Sequence, residues 1–214
     1  MSLKKYIVEF IGTFFLVLTY CMAIFGKVSA DLQPVAVGTI LMGLTYSMGY
    51  FSGGQFNPAI SLAVFLRGKI TLKEMGFYIA AQFIGSGVAA VTTAVLIAAK
   101  PTVAPMVTPQ YFSMGSALLA EVLGSFALVW VVLNVATSKS LEGNNFYGLA
   151  IGFTVTGLMF TLGSVSGSAF NPAIAVASGI AHLSSWNTLW IYLLGGFGGA
   201  ALATVAYRYV MNDE

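Results

Sequence analysis

The sequence predicts an all-α membrane protein, with six transmembrane helices and two re-entrant half-helices arranged as an inverted repeat. Three observations carry that expectation. The 214 residues are 58% hydrophobic and only 7% charged, with a mean hydropathy of +0.89, whereas a soluble domain has roughly 25% charged residues. Nine residues, Ser52-Gly53-Gly54-Gln55-Phe56-Asn57-Pro58-Ala59-Ile60, recur as Ser166-Gly167-Ser168-Ala169-Phe170-Asn171-Pro172-Ala173-Ile174, with seven of nine positions identical. A second echo precedes each copy: Val8-Glu9-Phe10-Ile11-Gly12-Thr13-Phe14 returns as Ala120-Glu121-Val122-Leu123-Gly124-Ser125-Phe126. Glu9 and Glu121 lie 112 positions apart, and Asn57 and Asn171 lie 114 apart, so one duplication accounts for both echoes.

The elements follow in chain order. Apolar runs long enough to cross about 30 Å, roughly 20 residues each, fall at Tyr6 to Phe25, Pro34 to Phe51, Glu74 to Ala98, Phe112 to Ala136, Phe146 to Ser164 and Trp186 to Val210. The first run, behind Lys4 and Lys5 and ending near Cys21-Met22-Ala23, has the outline of a signal peptide. Its echo around Glu121 places it inside the duplication and argues against cleavage. Two shorter pieces, Asn57 to Leu66 and Asn171 to Ala181, give about 15 Å of helix each and cannot cross alone. Two end to end can. Each begins with Asn at the N-cap and Pro at the first helical position, where those residue types are favoured.

The whole chain, residues 1–214, reads as a single transmembrane domain with repeats at approximately 1–100 and 108–214. Three spans per repeat is an odd number, so the halves enter the membrane in opposite senses. With the N-terminus inside, Lys4, Lys5, Arg67, Lys69, Lys73, Lys139 and Arg208 are cytoplasmic and only Lys27 and Lys100 are outside, which fits the positive-inside rule with both termini cytoplasmic. The net charge of +2 comes from few, dispersed basic residues, so no nucleic-acid partner is expected. The single Cys21 excludes an intrachain disulfide and reads as a small apolar residue.

Unpaired backbone groups in hydrocarbon cost several kcal/mol each, so helices broken at membrane depth survive only where protein or a water-filled cavity satisfies them. Two half-helices therefore imply a cavity. Their positive ends meet near the midplane, with Asn57 and Asn171 face to face. Each Asn can cap its helix through its oxygen and keep its amide as a donor toward the lumen, where two such donors would orient a file of waters while the helix ends repel cations. Fortuitous Asn-Pro turns in surface loops would not repeat inside a larger symmetric repeat.

The paired Ser-Gly-x-x-Phe-Asn-Pro-Ala motifs, the Glu-Phe-Ile-Gly-Thr-Phe opening and its echo at Glu121 resemble the aquaporin (major intrinsic protein) family over the whole chain. The resemblance implies a right-handed bundle of six tilted helices and two half-helices, one pore per subunit and a homotetramer. It also implies that the two Asn-Pro-Ala motifs, Asn57, Pro58, Ala59 and Asn171, Pro172, Ala173, line the central constriction. Glu9 and Glu121 are ionisable groups inside apolar spans, which makes them functional candidates. In the resembled family the matching glutamates hold the re-entrant loops by accepting backbone hydrogen bonds.

One departure concerns the filter. Family members usually carry Arg three residues after the second Asn, and here that residue is Ile174. The family spacing places the other lining positions at Val37, twenty residues before Asn57, and Met159, twelve before Asn171, with Ser168 offering mainly its backbone carbonyl. The filter so composed lacks both the charge and the usual aromatic or His.

His182, after the second half-helix, reads as a solvated interfacial side chain. The string Gly196-Phe197-Gly198-Gly199-Ala200-Ala201 fits a dinucleotide fingerprint only formally, because it follows no strand, and reads as close helix packing. No catalytic triad, metal-ligand cluster or phosphate loop is visible, so no enzyme activity, metal or cofactor is expected. The expected function is a passive channel for water and small uncharged solutes in a lipid bilayer. Two other classes compete: a secondary transporter, which shares inverted repeats and broken helices, and a non-conducting structural membrane protein on the same fold. Short termini and loops point to a microbial plasma membrane.

Overall fold

The computed structural model describes residues 3–26, 28–97 and 113–211. Eight α-helices run through these residues: α1 (Leu3–Phe25), α2 (Gln33–Ser52), α3 (Pro58–Leu66), α4 (Leu72–Ile97), α5 (Met114–Thr137), α6 (Tyr147–Ser166), α7 (Pro172–Ile180) and α8 (Leu189–Val210), with a 3-10 turn at Trp186–Thr188 leading into α8. Six are long and apolar enough to cross a membrane, the last span counted from Trp186. The protein is a multi-pass membrane protein. The predicted ends Ala98 and Phe112, and the basic residues Lys27 and Lys100, lie outside the described residues.

Local chemistry sets the breaks. α2 and α6 stop where Gly53 (φ 90°) and Gly167 (φ 84°) take the left-handed conformation and return their N–H groups to Gly49 and Gly163 at 2.8 Å. The chain then restarts at Asn57 and Asn171, both extended, whose side chains accept from the Ala59 and Ala173 N–H groups at 2.9 Å with Pro58 and Pro172 next in line. At the far ends of the half-helices, Gly68 (φ 79°) and His182 (φ 60°) stand at matching left-handed positions. His182 is exposed, and its backbone fills a helix-terminating role.

The two repeats make corresponding contacts. α1 packs most extensively on α4, and α5 on α8; α2 meets α6 across the middle. Each half-helix leans on a helix of the other repeat, α3 on α8 and α7 on α4. Small residues allow these approaches. A Cβ on Gly38 would lie 2.6 Å from the Gly152 carbonyl, and a Cβ on Gly152 would lie 2.6 Å from the Gly38 carbonyl. The glycine-rich string of α8 behaves as packing surface: a Cβ on Gly196 would stand 3.2 Å from Pro172, and one on Gly199 would meet α5. Cys21 is fully buried in α1.

Candidate functional site: a narrow passage between two half-helices

Glu9 and Glu121 are completely buried, and each gathers the loop that precedes a half-helix. Glu9 Oε1 accepts from the Ser52 hydroxyl at 2.6 Å and the Gln55 N–H at 3.0 Å; Oε2 accepts from the Phe56 N–H at 2.7 Å and from Gln82 Nε2 at 2.8 Å. Glu121 repeats three of these: Oε1 accepts from the Ser166 hydroxyl at 2.6 Å and the Ala169 N–H at 3.1 Å, and Oε2 from the Phe170 N–H at 2.8 Å. A carboxylate supplies up to four acceptor sites in a fixed plane, which is why one side chain can hold consecutive backbone N–H groups of a loop that has no helix to satisfy it. The fourth bond is absent at Glu121 because the position matching Gln82 is Gly196.

Tyrosines brace the same loops. Tyr78 donates to the Ser52 carbonyl at 2.9 Å and Tyr192 to the Ser166 carbonyl at 2.8 Å. Phe56 and Phe170 sit at φ 48° and 42°, in the left-handed region that side chains seldom adopt. Their rings fill the space left by Gly12 and Gly124, where a Cβ would overlap the ring. Their carbonyls reach the opposite asparagine: Asn57 Nδ2 donates to Phe170 O at 2.9 Å, and Asn171 Nδ2 to Phe56 O at 3.0 Å. An amide that the sequence reading leaves wholly to the lumen therefore has one hydrogen committed across the repeat axis. Among the described residues the second hydrogen has no partner.

Three cavities lie in series about this pair. The central one, with Asn57 and Asn171 in its wall, has about 40 Å³ open to the centres of water molecules. A water needs roughly 10–15 Å³ by that measure, so about three fit. Apart from the asparagines and loop backbone, the wall is largely aliphatic and again paired: Leu16 with Leu128, Leu41 with Val155, Ile60 with Ile174. On one side a wider mouth of about 450 Å³ is lined by Tyr20, Asp31, Met159 and Ser168. On the other a mouth of about 980 Å³ carries Lys5, Lys69 and Tyr147. The walls touch: Val37 is shared by the Asp31 mouth and the central cavity, and Gly53, Gln55 and Val132 by the central cavity and the Lys69 mouth.

A family profile described as Major intrinsic protein matches residues 1–207. The chain belongs to the major intrinsic protein family. Its members are passive channels rather than enzymes. Among similar proteins are a "Probable aquaporin NIP-type" of Nicotiana alata, 33% identical over 99% of this chain and 79% of the relative, and a "Glycerol uptake facilitator protein-like 6" of Lactiplantibacillus plantarum, 33% identical over 99% of this chain and 100% of the relative. An aquaglyceroporin structure from Plasmodium falciparum shares the fold, with a TM-score of 0.85 and 21% identity over 99% of this chain and 97% of that one.

In this major intrinsic protein the sequence-derived residues separate by depth. Val37 stands at the junction of two cavities, Met159 and Ser168 lie in the Asp31 mouth, and Ile174 lies in the central wall opposite its repeat counterpart Ile60. Pro58, Ala59, Pro172 and Ala173 are buried but are not in the walls of these three cavities. They form the first turns of the half-helices behind the asparagines, with Pro172 and Ala59 turned toward Gly196 of α8. Sequence reasoning did not single out Gln82, Tyr78 and Tyr192, nor Gln55. The signal for Gln82 is a polar residue alone in an apolar run; for Gln55 it is a mismatch between two otherwise matching loops.

Proposed function

We propose that the chain is a passive channel for water and small uncharged solutes, passed in single file through the central cavity. The observation that carries this reading is the chain of three adjoining cavities narrowing at Asn57 and Asn171. No ionisable side chain is among the residues in the central wall. That favours a channel over an ion-coupled transporter, which needs charged or ion-coordinating groups at its site. The names of the similar proteins, one a probable aquaporin and one a glycerol uptake facilitator-like protein, support water and a glycerol-type solute.

In this reading Asn57 and Asn171 orient the permeant, Glu9 and Glu121 hold the loops, and Val37, Met159, Ser168 and Ile174 make an outer filter without a fixed positive charge. The basic residues Lys5, Lys69 and Lys139 cluster at one mouth, which by the positive-inside rule supports a cytoplasmic side for that mouth and for both termini, in a plasma membrane. A homotetramer completes the reading, each subunit with its own pore. Stopped-flow light scattering on proteoliposomes tests it, with sucrose, glycerol, urea and ammonium gradients in parallel. Faster shrinkage than empty vesicles with a shallow temperature dependence is expected, and none in folded protein refutes it. Saturable, ion-dependent flux would instead support the transporter.

A further inference from the structure

The two loop copies differ at only two of nine positions: Gly54 against Ser168, and Gln55 against Ala169. The loops otherwise make the same bonds, since residues 55 and 169 both donate their N–H to the buried glutamate and residues 54 and 168 both donate theirs to the loop serine. Gly54 also answers to packing, since a Cβ there would stand 3.2 Å from the Gly49 backbone; nothing in the loop's own bonds calls for Gln at 55. Each difference adds a side-chain oxygen that is buried and has no hydrogen-bond partner among the described residues, Gln55 Oε1 and Ser168 Oγ. The two residues line opposite ends of the passage: Ser168 lies in the wall of the wide Asp31 mouth, whereas Gln55 stands where the central cavity meets the Lys69 mouth.

Ser168 borders a wide mouth of about 450 Å³. Gln55 borders the narrow part. Gln55 as a whole is 7% exposed, and the junction it shares with Gly53 and Val132 offers no other polar side chain. A buried amide oxygen without a partner has given up its hydrogen bond to water and received none in return, which proteins rarely tolerate without a use. A solute crossing this junction sheds water against aliphatic walls and needs a replacement partner there. The carboxamide offers both an acceptor and two donors.

We propose that Gln55 is a specificity-determining residue, whose carboxamide recognises neutral solutes bearing O–H or N–H groups as they pass between the central cavity and the Lys69 mouth. This rests on the channel reading above. Discrimination then lies on the Lys69 side of the asparagines as well as at the Ile174 side, and it works by hydrogen bonding where the latter works by size. Water is affected less, because water molecules in file retain bonds to one another.

The test compares glycerol and water permeability in proteoliposomes of the parent and of Gln55→Met, which keeps the length of the side chain and removes its amide. A glycerol-to-water ratio at least fivefold lower, with water permeability within about twofold of the parent, is the expected result. An unchanged ratio in a water-conducting Gln55→Met variant overturns the inference and leaves the channel reading standing. A parent that conducts water but not glycerol also overturns it, and a parent that conducts neither overturns both. Should Gln55→Met not fold, Gln55→Ala copies the side chain that Ala169 carries in the matching loop. It widens the junction, so a fall in the ratio despite the added width supports the proposal, and a constant or higher ratio refutes it.

Discussion

Asn57 donates its side-chain amide to the Phe170 carbonyl at 2.9 Å, binding the start of one half-helix to the loop of the other. The same bond runs in reverse from Asn171 to Phe56 at 3.0 Å. Each asparagine thus caps its own helix with its oxygen and ties down the opposite loop with one amide hydrogen. Two positive helix ends, held tip to tip, would repel one another without such a clasp.

Replacing Asn57 or Asn171 by Leu removes a cap and a bond across the repeat axis together. Loss of a cap costs about 1 kcal/mol and loss of a buried hydrogen bond a similar amount, with a further penalty for the unpaired carbonyl at Phe170 or Phe56. Each single variant should melt at lower temperature in detergent and conduct less water when reconstituted. Parent-like melting and flux in Asn57→Leu would show that the asparagine neither clasps nor lines the passage.

The glutamates are not equivalent, and Gln substitution should reveal it. At Glu9 both oxygens face two donors each, so an NH2 group placed on either side meets N–H or O–H groups head-on. At Glu121, Oε2 faces only the Phe170 N–H. Each N–H left without an acceptor costs roughly 1–3 kcal/mol. Glu121→Gln should therefore keep more folded protein and more water flux than Glu9→Gln, and Glu9→Gln combined with Gln82→Gly, which copies the second repeat, should narrow the gap. Thermal stability and osmotic flux of the three variants decide it; equal losses at both glutamates count against this account of their role.

Gly12 and Gly124 leave room for the Phe56 and Phe170 rings, so Gly12→Ala should destabilise by overpacking, typically about 1–3 kcal/mol. The cause is specific. Gly12→Ala combined with Phe56→Leu should be more stable than the sum of the single effects predicts, since the smaller side chain vacates the space that the new methyl needs. Additivity in that cycle, measured by thermal unfolding, would place the cost elsewhere.

The fold was legible because its signals are long or repeated. Every predicted span and half-helix is found, since apolar runs of membrane length and Asn-Pro starts depend only on local chemistry. Details that depend on three-dimensional meeting were not. Nothing local says that the Asn57 amide finds Phe170, 113 positions away, or that Gln82 reaches Glu9 across 73. The grouping of Val37, Met159, Ser168 and Ile174 came from family spacing, which fixes position along the chain but not depth along the passage. Ile174 consequently stands in the central wall, with Val37 between it and the mouth that holds Met159 and Ser168.

Ile174→Arg tests whether this position selects solutes. Ile174 is 4% exposed and faces a cavity of about 40 Å³, too small and too aliphatic to keep a guanidinium in its centre without partners. The side chain is long enough to extend its charged end past Val37 toward the Asp31 mouth, as arginines do when an aqueous space is within reach. There it adds a fixed positive charge and five donors while occupying width. Larger neutral solutes should lose most, because they need the width and gain little from the charge, so glycerol flux should fall about tenfold relative to water. Any proton or cation leak of the parent should fall as well, since a full charge then supplements the two helix ends. Ile60→Arg places the same group in the same wall from the other repeat, where Gln55 and Val132 separate it from the Lys69 mouth, and it should block water more severely because that route meets like charges from Lys5 and Lys69. A folded, water-conducting Ile174→Arg variant with the parent's solute ranking and proton conductance would remove this position from the filter.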